Sequence, residues 1–258
     1  MILDRFVMLG KTVPESNSDG RQFVCTAGYD LELRQPIRIY PMARANCPVR
    51  WSLSQIPVER NPKDSRAESW KIRGDRSPAA HSFINGVIRP LSRAVSIAAQ
   101  REIVETMTVR SLSEANDKRL SLCVLLPNDI LGIELEPGEI AEMAPTPDMF
   151  GTIPQLPVAA RFKWHPRLRF RDDRLHSHDL MLRDWGCYEL MRKKGDAGAF
   201  QLADALNLST APPLLCGNLN RFRNSWLVIS VFSGAAHARP DVFDRQPSLF
   251  DASNAIVL

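Results

Sequence analysis

The chain alternates short apolar runs with polar breaks marked by glycine or proline. Phe6-Val7-Met8-Leu9 is the first run, ended by Gly10 and followed by a polar loop from Pro14 to Gly20. Phe23 to Ala27 and Pro36 to Tyr40 are two more runs of strand length. Gly28-Tyr29-Asp30 and a charged stretch join them, and Gly28 is expected to serve the turn. Short strands between Gly, Pro, Asn and Asp predict a small β-barrel or meander rather than βαβ units. Residues 57–78 are charged and poor in large apolar side chains, which predicts a loop or edge. From Ser92 to Met107 apolar positions recur at three and four, which predicts a helix capped by Ser92. Ser121 to Leu126 and Ile130 to Leu135 are strand-like again, the second ended by Pro137-Gly138.

The stretch from Pro145 to Pro157 holds four prolines and a glycine and reads as a linker. It separates an N-terminal barrel-like domain (1–144) from a C-terminal α+β domain (158–238), with a tail over 239–258. In the second domain, a strand is expected from Arg161 to Arg171. Helices are expected from His178 or Asp179 to Lys194 and from Ala197 to Leu206. Trp226 to Phe232 is apolar except at Ser230, as a buried strand would be. The fold class is therefore α+β, a small β-barrel with a few packed helices.

Composition narrows the class without naming a partner. The chain has 258 residues, 44% of them hydrophobic and 24% charged, which excludes wholesale disorder, collagen-like repeats and coiled coil. No apolar run approaches a membrane span, and Asp4 and Arg5 stand where a signal peptide would have its apolar core. Five widely spaced cysteines argue for a reducing cytoplasm rather than a disulfide frame. A formal charge of +4 is too small to be informative, so placement matters more.

The sharpest placement is Arg161-Phe-Lys-Trp-His-Pro-Arg-Leu-Arg-Phe-Arg171. Period-two alternation sets Arg161, Lys163, His165, Arg167, Arg169 and Arg171 on one face of a strand. Phe162, Trp164, Pro166, Leu168 and Phe170 take the other, and Pro166 suggests an edge or bulge. At about 3.3 Å per residue the basic face is roughly 30 Å long, the scale of a nucleic-acid backbone. Arginine forks suit phosphate and base stacking. The competing reading is a solvated outer face neutralised by acids on neighbouring strands.

Asp172-Asp173-Arg174-Leu175-His176-Ser177-His178-Asp179 follows at once, with Asp184 beyond it. Asp172, Asp173 and Asp184 are candidate catalytic carboxylates, and His176 with His178 candidate ligands for Zn, Mn or Fe. No other cofactor is indicated. The structural alternative makes His178 or Asp179 a helix cap and pairs the acids with nearby arginines. In the N-terminal half, Lys11, Arg38 and Tyr40 are further candidates for phosphate and base contacts, equally explicable as surface chemistry. Cys25 reads as apolar filler.

The order strand–Lys11, Cys25-Thr26-Ala27-Gly28, Ile37-Arg38-Ile39-Tyr40-Pro41, Asp64-x-Arg66-x-Glu68-Ser69-Trp70 resembles uncharacterised bacterial proteins of mobile elements and defence islands. It is similar in plan to dual OB-domain proteins, and the similarity continues through Asp184-Trp185 and Gly217-Asn218. The resemblance implies OB-like barrels and a nucleic-acid context, with no activity attached. Cysteines that some relatives carry near the acid–histidine cluster are absent here, which weakens a zinc assignment.

Gln246-Pro247-Ser248-Leu249-Phe250 resembles the bacterial sliding-clamp-binding pentapeptide at Gln246, Leu249 and Phe250, and departs from it at Pro247. The expectation is a cytoplasmic nucleic-acid-binding protein, DNA before RNA, tethered to the clamp and with no membrane partner. The alternatives are a metal-dependent nuclease or phosphodiesterase built on the Asp/His cluster, and a protein-only adaptor acting through the clamp peptide.

Overall fold

The computed structural model describes residues 1–16, 22–73, 88–138 and 162–233. The proline-rich stretch, Arg161 and the tail peptide with Gln246, Leu249 and Phe250 lie outside the described residues. Five strands close a barrel: β1 (Ile2–Lys11), β3 (Gln22–Asp30), β4 (Gln35–Ala43), β5 (Leu53–Arg60) and β6 (Ser69–Ile72). β1 runs antiparallel to both β3 and β5, β3 to β4, and β5 to β6; the β4–β6 pairing is parallel and closes the ring. A two-residue β2 (Glu15–Ser16) pairs with β3, and β7 (Arg89–Ser92) extends the sheet beyond β5.

The closing strand lies inside the charged stretch 57–78 that the sequence reads as loop or edge. Ser69–Ile72 fills it with Trp70 and Ile72 pointing into the barrel core. Two apolar residues among charges are enough because the rest of β6 contributes backbone pairing.

The Phe6–Leu9 run is continuous because β1 is buried on both faces. Phe6 and Met8 enter the barrel beside Ile37, Ile39 and Ile56. Val7 and Leu9 face outward against α1 (Ile97–Met107) and a second sheet. The helix starts later than the sequence suggests, with the Ser96 hydroxyl accepting from Ala99 N as cap. Gly28 lies within β3, not in a turn. A Cβ there would stand 2.5 Å from the Val7 carbonyl oxygen and 2.3 Å from the Phe6 ring. The turn follows over residues 31–34, with Asp30 Oδ1 accepting from Glu32 N and Leu33 N.

The second sheet is a middle layer, ordered β14 (Trp226–Val231), β13 (Leu214–Asn218), β9 (Leu122–Leu125), β8 (Thr108–Val109). Leu215 and Ile229 face the barrel; Leu214, Cys216 and Val228 face a third core. Burial on both sides explains the apolar run of β14, in which Ser230 alone is polar and spends its hydroxyl on Asp184. The third core is covered by the sheet β10 (Asp129–Pro137), β11 (Trp164–Arg171), β12 (Ser177–Met181) and by α2 (Leu112–Asp117), α3 (Trp185–Lys194), α4 (Asp196–Phe200) and α5 (Leu202–Ala205). Residues 108–137, assigned by sequence to the N-terminal domain, thus pair with strands beyond the proline-rich stretch. Residues 177–181 form β12 instead of the start of a helix: hydrogen bonding to β11 wins there, and Asp184 caps α3 through Gly186 N at 2.7 Å. Among the described residues no helix is long and apolar enough to cross a membrane. All five cysteines are free thiols.

Candidate functional site

The basic ladder alternates as expected, with Leu168 and Phe170 fully buried and Arg167, Arg169 and Arg171 on the outer face. β11 is the middle strand of its sheet, not an edge. Pro166 is tolerated because the β11–β12 pairing ends at Arg167↔Met181, and the Pro166 carbonyl still accepts from Leu182 N. The flanking strands bring acids opposite the basic residues. Arg167 meets Asp179 at 2.8 Å and Glu136 at 3.3 Å, Arg169 meets Glu134 at 3.8 Å, and Arg171 meets Asp129 at 3.3 Å. Lys163 pairs with Asp196 at 2.6 Å. His165 is half-buried at 3.3 Å from the Tyr188 hydroxyl, and burial, with Arg183 nearby, lowers its pKa. The segregation of charge seen along the sequence is therefore undone in space.

The acid–histidine cluster separates in part: Asp173 and Asp184 leave it. Asp172 is fully buried and organises its own turn: Oδ1 accepts from Arg174 N and His176 N, and Oδ2 lies 2.9 Å from His178 Nε2. His176 stands 3.8 Å from the same oxygen. Asp173 pairs with Arg110 on the surface. Asp184 faces elsewhere, toward Arg50, Ser230 Oγ and Val231 N. Among the described residues, no three His, Cys, Asp or Glu side chains are placed to hold a metal ion. Asp172, His176 and His178 stay together because the β11–β12 hairpin holds them at one turn, while β12 carries the chain away before Asp184.

A different set does converge. Outside β3 and β4, where the barrel meets β12 and β13, lies a cavity of about 390 Å³. Arg38 and Tyr40 of β4, Arg66 of the β5–β6 loop, Arg183, Asn218 and Glu15 line it. Arg38 is 4% exposed; its Nη2 donates to the Ser121 carbonyl at 2.7 Å and its Nη1 to Cys25 Sγ at 3.5 Å. Cys25 is thus half-buried and polar in role, not filler. A Cβ at Gly217 would stand 2.9 Å from Arg38 Nη2, so that glycine makes room for the guanidinium. The Tyr40 hydroxyl donates to Glu15 at 3.1 Å, and burial, reinforced by Glu15, pushes its pKa up to about 12. Lys11 stands apart from this group at the end of β1, opposite Thr26.

The Asp64-x-Arg66-x-Glu68-Ser69-Trp70 segment builds one wall. Asp64 accepts from Arg66 Nε at 2.8 Å and Ser69 Oγ at 2.7 Å. Burial opposes ionisation of Asp64, but these bonds win and hold its pKa at about 2. Arg66 Nη1 reaches the Asn218 carbonyl at 2.6 Å, and the Ser121 hydroxyl donates to Glu68.

At the rim, the β13–β14 loop presents Arg221, Phe222 and Arg223, with Phe222 65% exposed. It is tied to the β5–β6 loop by Asn220 Nδ2 on the Lys63 carbonyl at 3.0 Å and by Arg223 on Ser65 Oγ at 3.1 Å. Among the described residues, the side chains of Arg38, Lys63, Arg183, Arg221 and Arg223 form no ion pair. The sequence reading missed all of these but Arg38, although Arg-Phe-Arg in a turn free of acids is a visible signal.

A protein-family model described as a domain of unknown function (DUF8758) matches residues 3–106. That span covers the barrel strands, β7 and nearly all of α1. Neither the curated proteins nor the solved structures contain a match.

Proposed function

We propose that the protein binds single-stranded nucleic acid, DNA in the first instance, across the β3–β4 face of an OB-type barrel. The barrel supports that type through its ring order, first–second–third–fifth–fourth strand with a parallel third–fifth pair. One observation carries the functional reading. Arg38 and Arg183 line the cavity and Lys63, Arg221 and Arg223 stand in the two loops beside it, all five without carboxylate partners among the described residues, and Phe222 is exposed in one of those loops. Unpaired arginines attract phosphates, and an exposed aromatic ring offers a stacking platform that an intact duplex cannot use. The ladder face, by contrast, has its charge already neutralised. On the same reading the Gln246/Leu249/Phe250 peptide would tether the protein to the sliding clamp, in the cytoplasm of a cell whose mobile-element, repair or defence machinery it serves.

The test is fluorescence anisotropy with a labelled oligonucleotide over a salt series. Five neutralised phosphates on a single strand give a log–log slope of about −3.5. A salt-insensitive complex, or none at low salt, sinks the reading.

A further inference from the structure

We infer that the cavity outside β3 and β4 is a seat for a phosphomonoester, the group that ends a nucleic-acid strand or a free mononucleotide. The strand-end form of this inference rests on the nucleic-acid reading above; the chemistry of the cavity does not.

Charge is the first reason. Among the described residues three arginines line the cavity against one carboxylate, Glu15, which already accepts from Tyr40. Asp64 compensates Arg66 from behind, but Arg38 has only a backbone carbonyl and a thiol as partners. A buried guanidinium without a counter-ion is costly, and an anion in the cavity removes that cost.

Hydrogen bonding is the second. Two buried atoms of cavity-lining side chains have no partner among the described residues: Arg38 Nε, a donor, and Asn218 Oδ1, an acceptor. Asn218 is 3% exposed, and its Nδ2 is fixed on the Leu120 and Arg223 carbonyls, so the free oxygen is set by the backbone around it. The ligand must therefore offer anionic oxygens to arginine and a hydroxyl to Asn218. A phosphomonoester carries both in its monoanion, whose remaining proton leaves near pH 6 and which the Asn218 oxygen would favour by accepting from it. A phosphodiester, a sulfate and a carboxylate offer acceptors alone.

Size is the third. About 390 Å³ holds a phosphate with its sugar but not a run of nucleotides. A strand would enter by its end and lay the adjoining base on Phe222.

The experiment compares 5′-phosphorylated, 3′-phosphorylated and hydroxyl-ended oligonucleotides of one sequence and a nucleoside monophosphate, with orthophosphate and sulfate as competitors. One phosphorylated form should bind about ten-fold tighter than the hydroxyl-ended strand, the scale of satisfying a buried polar group. Orthophosphate should compete better than sulfate. In half-buried Arg183→Gln the preference for the phosphorylated end should collapse, whereas Arg221→Glu/Arg223→Glu should weaken all three strands alike. Arg38→Gln is the more direct variant, but it is read only if its circular dichroism is native; the competition series on the unaltered protein needs no variant. Equal affinity for all three strands with no phosphate competition overturns the phosphomonoester site and leaves the nucleic-acid reading standing. Binding of a nucleoside monophosphate with no oligonucleotide binding supports the site and overturns the nucleic-acid reading. No binding of any of them overturns both.

Discussion

Arg50 and Asp184 join the barrel to the rest of the molecule, with Nη2 2.8 Å from Oδ2. Asp184 is the more committed partner. Its carboxylate also caps α3 and accepts from Ser230 and from Val231 N on β14, so one buried side chain ties a barrel loop, a helix and the middle sheet. Asp184→Ala should cost about 3–5 kcal/mol in urea unfolding, because it strands Arg50 and uncaps the helix together. A loss below about 1 kcal/mol, the worth of a surface pair, would show that the clasp is not structural.

Gly28 is required by closeness rather than by turn geometry. The Val7 carbonyl cannot retreat without breaking the β1–β3 pairing, so Gly28→Ala should destabilise by about 3 kcal/mol, seen as a lower Tm. An unchanged Tm would mean the strands are not this tightly apposed.

The Asp64 carboxyl is held at about 2 against an ordinary value of 3.8. Its folded-state pKa is depressed, so its stabilisation is complete above pH 3.8 and disappears as pH falls toward 2. In an acid titration followed by circular dichroism, Asp64→Asn should be less stable at neutral pH and should lose less between those values. Parallel acid profiles for the two proteins would contradict the Arg66–Asp64–Ser69 clasp.

Charge reversal separates the two basic surfaces. Arg167→Glu/Arg169→Glu places acids among Glu134, Glu136 and Asp179, and should lower stability while moving nucleic-acid affinity little. Arg221→Glu/Arg223→Glu should cost little stability beyond the exposed Arg223–Ser65 bond and lower affinity about ten-fold or more at low salt, two phosphate contacts being lost. Anisotropy and urea melts on the same preparations decide it; the reverse pattern would return the interface to the ladder.

Asp172 organises a turn. Asp172→Ala leaves Arg174 N and His176 N without their acceptor, and a loss of about 1–3 kcal/mol is expected. Melting with and without Zn²⁺ or Mn²⁺ checks the metal reading directly: a large Tm rise in the unaltered protein that disappears in Asp172→Ala would reinstate it.

Local pattern was legible where a residue's environment depends on its own neighbours in the chain. The strand over 164–171, the doubly buried run at 226–231 and the helix ending at Met107 all announce themselves by period. It failed where partners decide. Residues 177–181 look like a capped helix start, but β11 offers them a hydrogen-bonding edge. Ser69–Ile72 looks like loop, but the barrel needs a fifth strand. Arg66, Asn218 and Arg223 come from distant segments, and nothing in their spacing announces that they meet.

By itself the sequence determined the α+β class, the two faces of β11 and the buried character of β14, because periodicity fixes which side chains share a surface. Only the tertiary structure decided which positive charges are spent. Strand register set Glu134, Glu136, Asp129 and Asp179 against the ladder, and the placement of β4 and two loops left Arg38, Arg183, Arg221 and Arg223 without acids among the described residues. Neutralisation depends on distances of a few ångströms between residues far apart in the chain, so a net charge of +4 conceals one balanced surface and one unbalanced cavity.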